Sequence, residues 1–451
     1  MLDRRSFLSS VAAGAAALVA APTACAAERD QPAAAAGPLV GPEGVVDWER
    51  VRAEFDLDPD WLHFGSFFLV SHPRPVRVAI ERWRRELDRN PLALEHLLFD
   101  GANPDNPVAA VKRALARYLG AREEEIALTP NTTTGLALVY NGLAIAPGEE
   151  ILTTEHDHYV HHESIRFAAE KSGATVRFVA LHDGAARASA DQIVARLRGA
   201  IRPETRALGV TWVHSSSGLK LPIPAIAAMV AEVNAGRAPR ERCLLVVDGV
   251  HGFGVEDVDA AAMGADFFVA GTHKWLFGPR GTGVVWGRPE AWPRVRPTIP
   301  SFDLSGEMWS AWVERRPLPS TRANFVSPGG FVAYEHQFAV ADAVAFHEAI
   351  GRARIAARLA DLNGRVRHGL AAIPGVTVHT PPDPALAAGI TCFEVAGLAP
   401  EAVVARLAER RIHATTSPYA VSYARLAAGI MNRPDEIDAA LAAVAELARA
   451  A

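Results

Sequence analysis

From residue 125 the chain alternates between short, mainly apolar runs and longer segments whose apolar residues recur every three to four positions. The runs are EIALT (125–129), EILTT (150–154), ATVRFVA (174–180), TRALGVTWV (205–213), CLLVVD (243–248), ADFFVA (265–270) and GTGVVWG (281–287). They are short and rich in β-branched residues, the pattern of strands covered on both faces. Residues 160–171 and 223–235 between them carry helical apolar spacing. Strands joined mostly by helical crossovers predict an α/β fold: a large domain over 111–300 with a mostly parallel seven-stranded sheet covered by helices. Residues at the carboxyl ends of such strands share one edge, where sites of open parallel sheets form.

The pattern changes on either side. Residues 46–110 read as an N-terminal arm with a charged helix around 75–90. Residues 301–332 have prolines, Trp309, Trp312 and little periodicity, which predicts a lid or interface segment. From 333 a long helix is expected, followed by GVTVHT (375–380), GITCFEV (389–395), RIHATT (411–416) and YARLAAG (423–429) alternating with helices. That region, 333–451, reads as a smaller α+β domain.

Of 451 residues 22% are charged and 49% apolar, an ordinary globular balance, and the formal net charge of -5 argues against a nucleic-acid or anionic-membrane partner. A small molecule is the partner left. Residues 1–27, MLDRRSFLSSVAAGAAALVAAPTACAA, carry paired Arg4 and Arg5, then Phe7 and Leu8, a weakly apolar run and small residues near Ala27. They look like a twin-arginine export signal, followed by a linker over 28–45, so the expected location is the periplasm or another exported site, with the twin-arginine (Tat) translocation machinery as a transient partner. The apolar run is too short for a stable membrane span. Cys25 raises a lipoprotein anchor, against which Pro22 argues. The other cysteines, Cys243 and Cys392, lie in strand-like runs and are expected to pack in the core rather than form a disulfide framework.

Chemistry concentrates at two strand ends. Asp248 follows five apolar residues, and the next strand brings His273 and Lys274 to the same edge. A buried carboxylate is costly unless a cation meets it. Lys274 is not a nucleotide-loop lysine, because in AGTHKWLFGPRGTG (270–283) the glycines mainly follow it. Two readings remain. Asp248 and Lys274 form a buried ion pair, or Lys274 forms a Schiff base with pyridoxal phosphate while Asp248 keeps the pyridine nitrogen protonated. The second reading needs a phosphate cradle. NTTTG (131–135) opens a helix whose free amides point at an anion, with the Thr132 and Thr133 hydroxyls in reach.

Together VVDGVHGFG (246–254) and GTHKWLFGPRGTG (271–283) resemble the class V aminotransferase family, pyridoxal-phosphate enzymes that include isopenicillin N epimerase-like proteins, cysteine desulfurases and kynureninases. The resemblance covers residues 45–449. It implies the fold type I architecture of pyridoxal-phosphate transferases, a homodimer, and cofactor contacts from Asp248, His251, His273 and Lys274. It further implies that His158 stacks on the cofactor, with His156 as rival, that Ser215 reaches the 3-hydroxyl, and that Arg425 grips a substrate α-carboxylate. The histidines 156, 158, 161 and 162 lack a completing Cys or Glu, so no metal is expected, and the last two read as residues of an ordinary helix.

The chain departs from the family's pattern in places. Gly271 stands where a phosphate-binding serine is common, leaving Thr272 as substitute. Gly330-Phe331 stands where relatives carry a Gly-Thr that reaches the neighbouring subunit's phosphate. No cysteine occurs in RIHATTSPYAVSYAR (411–425), where a desulfurase needs its nucleophile. The resemblance implies a pyridoxal-phosphate enzyme, aminotransferase-like, acting at the α-carbon of an amino-acid-type substrate, and the leader adds the expectation that it is exported. The alternatives are an isopenicillin N epimerase-like racemase or epimerase, an oxygen-using tailoring enzyme of an exported peptide such as a siderophore, and last a non-catalytic binding protein.

Overall fold

Residues Leu62–His63 form β1, and the seven apolar runs form β2 (Ile126–Thr129), β3 (Glu150–Thr154), β4 (Thr175–Val179), β5 (Thr205–Thr211), β6 (Leu244–Asp248), β7 (Phe267–Gly271) and β8 (Gly283–Gly287). The computed structural model describes residues 37–92, 103–302 and 305–451; the leader with Cys25, and the linker through residue 36, lie outside them. Strands β2 to β8 make one sheet in the order β2-β8-β7-β6-β5-β3-β4. Neighbours pair in parallel from β4 across to β7, and β8 runs antiparallel to both β7 and β2. The reversal has a local cause. The connection 272–282 contains no helix to carry the chain back across the sheet, so the next strand returns antiparallel.

Successive residues of a strand face opposite sides, and the core divides accordingly. Leu245 and Val247 of β6 pack with Phe268 and the helices Ala190–Ala200 and Ile223–Asn234. Leu244 and Val246 pack with Phe267 and the helices Thr132–Gly142 and Tyr159–Ser172. All of β6 is buried, so its one carboxylate must find its partners inside the protein.

The C-terminal part forms β9 (Val376–Val378), β10 (Thr391–Val395), β11 (Ile412–His413), β12 (Thr415–Thr416) and β13 (Ala424–Leu426). Four of these make an antiparallel sheet in the order β12-β13-β10-β9. The run RIHATT is thus split: β11 pairs in parallel with β1 of the N-terminal arm, while β12 pairs with β13. The single long helix expected from 333 is three helices, Tyr334–Phe338, Val340–Ile350 and Arg352–Ala371. The last break falls at Gly351, whose φ of 100° a side chain would oppose. The segment 301–332 contains two short helices, Glu307–Val313 and Ala323–Val326. Cys243 and Cys392 are free and buried. Among the described residues no helix is long and apolar enough to cross a membrane.

Candidate active site

Two turns beyond the sheet edge present the central residues. After Asp248 the chain folds so tightly that a Cβ on Gly249 would lie 2.0 Å from Phe268 Cε2, and one on Gly252 2.1 Å from Trp212 Cε3. Only glycine fits either position, and the turn places the buried His251 ring over the strand ends. After β7 the loop closes on itself: Thr272 N–H donates to the Thr282 carbonyl at 3.1 Å, and Gly278 N–H to the Thr272 carbonyl at 2.9 Å. Phe277 adopts the left-handed conformation with φ 57°, a strain offset by its burial against Phe55, 5.0 Å between ring centres. This closed loop delivers Lys274.

The Lys274 ammonium lies 3.1 Å from His251 Nε2. Burial, and then the Lys274 charge, hold His251 well below the ordinary histidine range. Its neutral Nε2 therefore accepts from the ammonium, and the Nδ1–H is buried without a partner. Burial pushes the Asp248 carboxyl up to about 6, although it accepts from Val250 N–H at 3.1 Å and faces Lys274. Burial also pulls the Lys274 amine down to about 8, with Asp248 opposing that shift. The two charges influence one another yet make no direct ion pair. A plain buried pair would touch. Each group here suits a further partner, a cation for the carboxylate and an electrophile for the amine, and a pyridinium ring bearing an aldehyde offers both.

The helix Thr132–Gly142 begins beside this point. Asn131 caps it by accepting from Thr134 N–H at 2.8 Å, which leaves the first amides, as at any helix start, free to bind an anion. Thr132 Oγ1 accepts from Gly271 N–H at 2.8 Å, tying the helix start to the end of β7 while its own hydrogen remains to donate. Thr133 is exposed at the same helix start. Thr272 is fully buried, its hydroxyl bonded to that of Thr282 within its own loop. His273 is half-buried, and burial with the Lys274 charge lowers it to about 4.

The histidines after β3 separate by function. His158 caps the helix Tyr159–Ser172, its Nδ1 accepting from Val160 N–H at 3.4 Å. Burial, then Lys274 and Arg425, lower it to about 4, which places its ring within the field of both cations. His156 turns elsewhere: its Nε2 accepts from Leu181 N–H at 3.1 Å, and its ring stacks on His182 with centres 4.0 Å apart. His161 meets Tyr140 Oη at 2.7 Å and His162 the Thr154 carbonyl at 2.8 Å, both from the helix.

Arg425, on β13, is buried beneath the same space. It donates to Thr415 Oγ1 at 3.1 Å, the Ser215 carbonyl at 3.1 Å and the Thr416 carbonyl at 2.7 Å, and its guanidinium lies 4.8 Å from the Phe67 ring centre. All three acceptors are neutral. A buried cation without a carboxylate is a site for an anion, and a planar fork fits a carboxylate. Ser215 is buried, with Oγ 2.9 Å from Tyr419 Oη.

Three contributors are not legible from motifs. Phe67 arrives from the arm and packs against His251, Trp275 and Arg425. Tyr419 comes from the loop before β13. Asp157 lies fully buried next to His158 and accepts from Thr153 Oγ1 at 2.9 Å, Thr154 N–H at 3.0 Å, Thr154 Oγ1 at 2.9 Å and Thr211 N–H at 2.8 Å. Burial alone would raise its pKa, but His214, 3.4 Å away, with His161 and His162 nearby, holds it well below the carboxylate range. It pins the His158 loop to β5. The only signal in the sequence is an aspartate between two histidines, which is no signal of a buried anchor.

The family description Aminotransferase class-V matches residues 102–437. The chain is 28% identical over 353 residues to an isopenicillin N epimerase of Amycolatopsis lactamdurans, covering 77% of this chain and 84% of that protein. Its fold is similar to that of C-DES with glycine covalently linked to its PLP cofactor, with a TM-score of 0.76 at 22% identity over 88% of this chain and 99% of the other. It is similar also to a cysteine desulfurase of Thermococcus onnurineus, with a TM-score of 0.75 at 21% identity over 93% and 100%. The seven-stranded sheet, the lysine and aspartate at its edge and the extent of the family match agree: the chain belongs to the class V aminotransferase family and is a pyridoxal-phosphate-dependent enzyme.

Proposed function

We propose that this enzyme is exported and acts at the α-carbon of an amino acid or amino-acid-containing substrate, with Lys274 as the covalent anchor of its cofactor. The observation that carries the reading is the trio Asp248, Lys274 and Arg425: a carboxylate and an amine that face one another without pairing, beside a buried guanidinium that has only neutral partners. Bound pyridoxal phosphate supplies a ring that takes up the electrons of a bond broken at the α-carbon. The chain's own residues then have defined tasks. Asp248 would hold a proton on the ring nitrogen, the Thr132 helix start would take the phosphate, His158 would lie against the ring, and Ser215 would meet its 3-hydroxyl. Arg425 fixes the substrate carboxylate. Lys274 would take and return a proton at the α-carbon.

The similarity to an isopenicillin N epimerase supports epimerisation as a second reading of the same site. Desulfuration is disfavoured, because the loop before β13 carries no cysteine and burial pushes the Cys392 thiol up to about 12. The leader supports export by the twin-arginine route, and the family likeness supports a homodimer. Replacing Arg4 and Arg5 together by lysine is expected to leave the protein inside the cell; unchanged fractionation overturns the export route.

The test of the covalent anchor is Lys274→Ala. The purified wild type is expected to show a visible absorption band and, after borohydride reduction, a pyridoxyl group on the peptide containing Lys274. The variant loses both. A band that survives in the variant overturns the assignment. Spectra with candidate amino acids, with and without a 2-oxo acid or oxygen, then separate transamination, epimerisation and oxidation.

A further inference from the structure

Ser215 is gripped at two points by residues more than two hundred positions away. Arg425 donates to its carbonyl at 3.1 Å, and its hydroxyl lies 2.9 Å from Tyr419 Oη. Tyr419 reaches it from a short tab, residues 417–423, between β12 and β13. The tab is fastened at its base: Ser417 N–H donates to the Tyr423 carbonyl at 2.9 Å, Tyr423 N–H to Ser417 Oγ at 2.9 Å, and Ser422 Oγ to the Ser417 carbonyl at 2.8 Å. Within it Tyr419 N–H donates to the Ser417 carbonyl at 3.0 Å, which turns the ring inward. The ring stands edge-on to His158, 5.6 Å between centres at 84°. Tyr419 thus touches both the serine and the histidine assigned to the cofactor.

We propose that Tyr419 is a positioning residue that orders a relay of two hydroxyls, Tyr419 to Ser215 to the cofactor's ring oxygen. The inference rests on the reading of the site given above. A serine hydroxyl rotates freely and has one hydrogen to give. Burial raises the Tyr419 phenol above its ordinary range, so it stays protonated; its hydroxyl pairs with Ser215 Oγ at 2.9 Å, and in the proposed relay the phenol is the donor. The Ser215 hydrogen is then committed to its other neighbour. A hydrogen bond donated to the ring oxygen favours its deprotonated form and lowers the pH at which the lysine-linked cofactor gives up its proton. No bond to carbon is made or broken by this relay.

The experiment is a pH titration of the visible band of the holoenzyme. Tyr419→Phe keeps the ring against His158 and removes only the hydroxyl, and its midpoint is expected to rise by about half to one pH unit. Ser215→Ala is expected to raise it by at least as much, and adding Tyr419→Phe to Ser215→Ala should move it no further. The melting temperature of Tyr419→Phe should stay close to that of the wild type, since one exchangeable hydroxyl is lost. Two results overturn the inference alone: normal trapping at Lys274 with an unmoved midpoint in Tyr419→Phe, or a Tyr419→Phe shift that persists in full without Ser215. A wild type that carries no pyridoxyl group at Lys274 overturns the reading of the site, and this inference with it.

Discussion

Asp248 and Lys274 are each held away from the charge they carry in water, and the sign of each shift gives a prediction. Burial raises Asp248 to about 6, so its contribution to stability is full below its ordinary pKa and is lost as pH rises through about 6. Burial lowers Lys274 to about 8, so its contribution is full above its ordinary pKa and is lost as pH falls through about 8. Between those values the cofactor-free enzyme bears two buried charges, relieved only by their mutual attraction. Replacing one charge with a neutral isostere removes part of that cost. Asp248→Asn is therefore expected to stabilise the cofactor-free protein near pH 7.5 by an amount on the order of 1–3 kcal/mol, seen as a higher melting temperature, while weakening retention of pyridoxal phosphate. Thermal melts with and without cofactor check it; a less stable cofactor-free variant with undiminished cofactor binding overturns it. At this scale legibility follows position. Asp248, Lys274 and Arg425 stand on or beside recognisable strands and announce themselves, whereas Phe67 and Tyr419 reach the site only through contacts across the tertiary fold, which no spacing encodes.

The elements divide along the same physical line. Six of the seven strands of the main sheet are buried along their whole length and read as apolar runs bounded by turn residues, while β4, at the sheet edge, is only partly buried and is legible from its β-branched residues. RIHATT misleads because its two halves obey different partners: Ile412 and His413 pair with the arm, Thr415 and Thr416 with β13. A single segment cannot advertise two sheets. The helix expected from 333 is interrupted by backbone geometry at Gly351, a change that apolar periodicity does not register. The turn after β6 carries the element-scale prediction. Gly249→Ala forces Phe268 of β7 to move, and β7 leads directly into the Lys274 loop, so the substitution is expected to cost about 1–3 kcal/mol and also to loosen cofactor binding. Gly199→Ala is the matched control. A Cβ there meets nothing within 4 Å, it lies in the helix Ala190–Ala200, and it should stabilise by about 0.5–1 kcal/mol. Equal melting temperatures for the two variants overturn the close-approach argument.

At the scale of the molecule, the question is what covers the apolar surface left over once the sheets have their helices. Trp309 is 67% exposed, Trp312 76% and Phe331 81%, all within the stretch that lacks periodicity in the sequence. Single exposed apolar residues are ordinary, but three large aromatics in one segment are not, because each leaves much apolar area in contact with water. Phe331 follows Gly330, the pair that the family resemblance sets against a Gly-Thr expected to reach a neighbouring subunit's phosphate. A second copy of the chain is the partner the family likeness proposes, and a dimer face would account for the missing periodicity: a surface shaped to fit another subunit obeys that subunit's contours, not a helix or strand repeat. Light scattering of the purified protein should then give twice the mass of one chain. Trp312→Glu combined with Phe331→Glu places charge in the centre of such a face, and the protein should shift toward a single-chain mass with its melting temperature lowered. If the neighbouring copy also completes the phosphate site, pyridoxal phosphate should be lost in step with dissociation as the protein is diluted. A wild type that scatters as one chain at micromolar concentration, or a double variant that stays a dimer, overturns the assignment of this face.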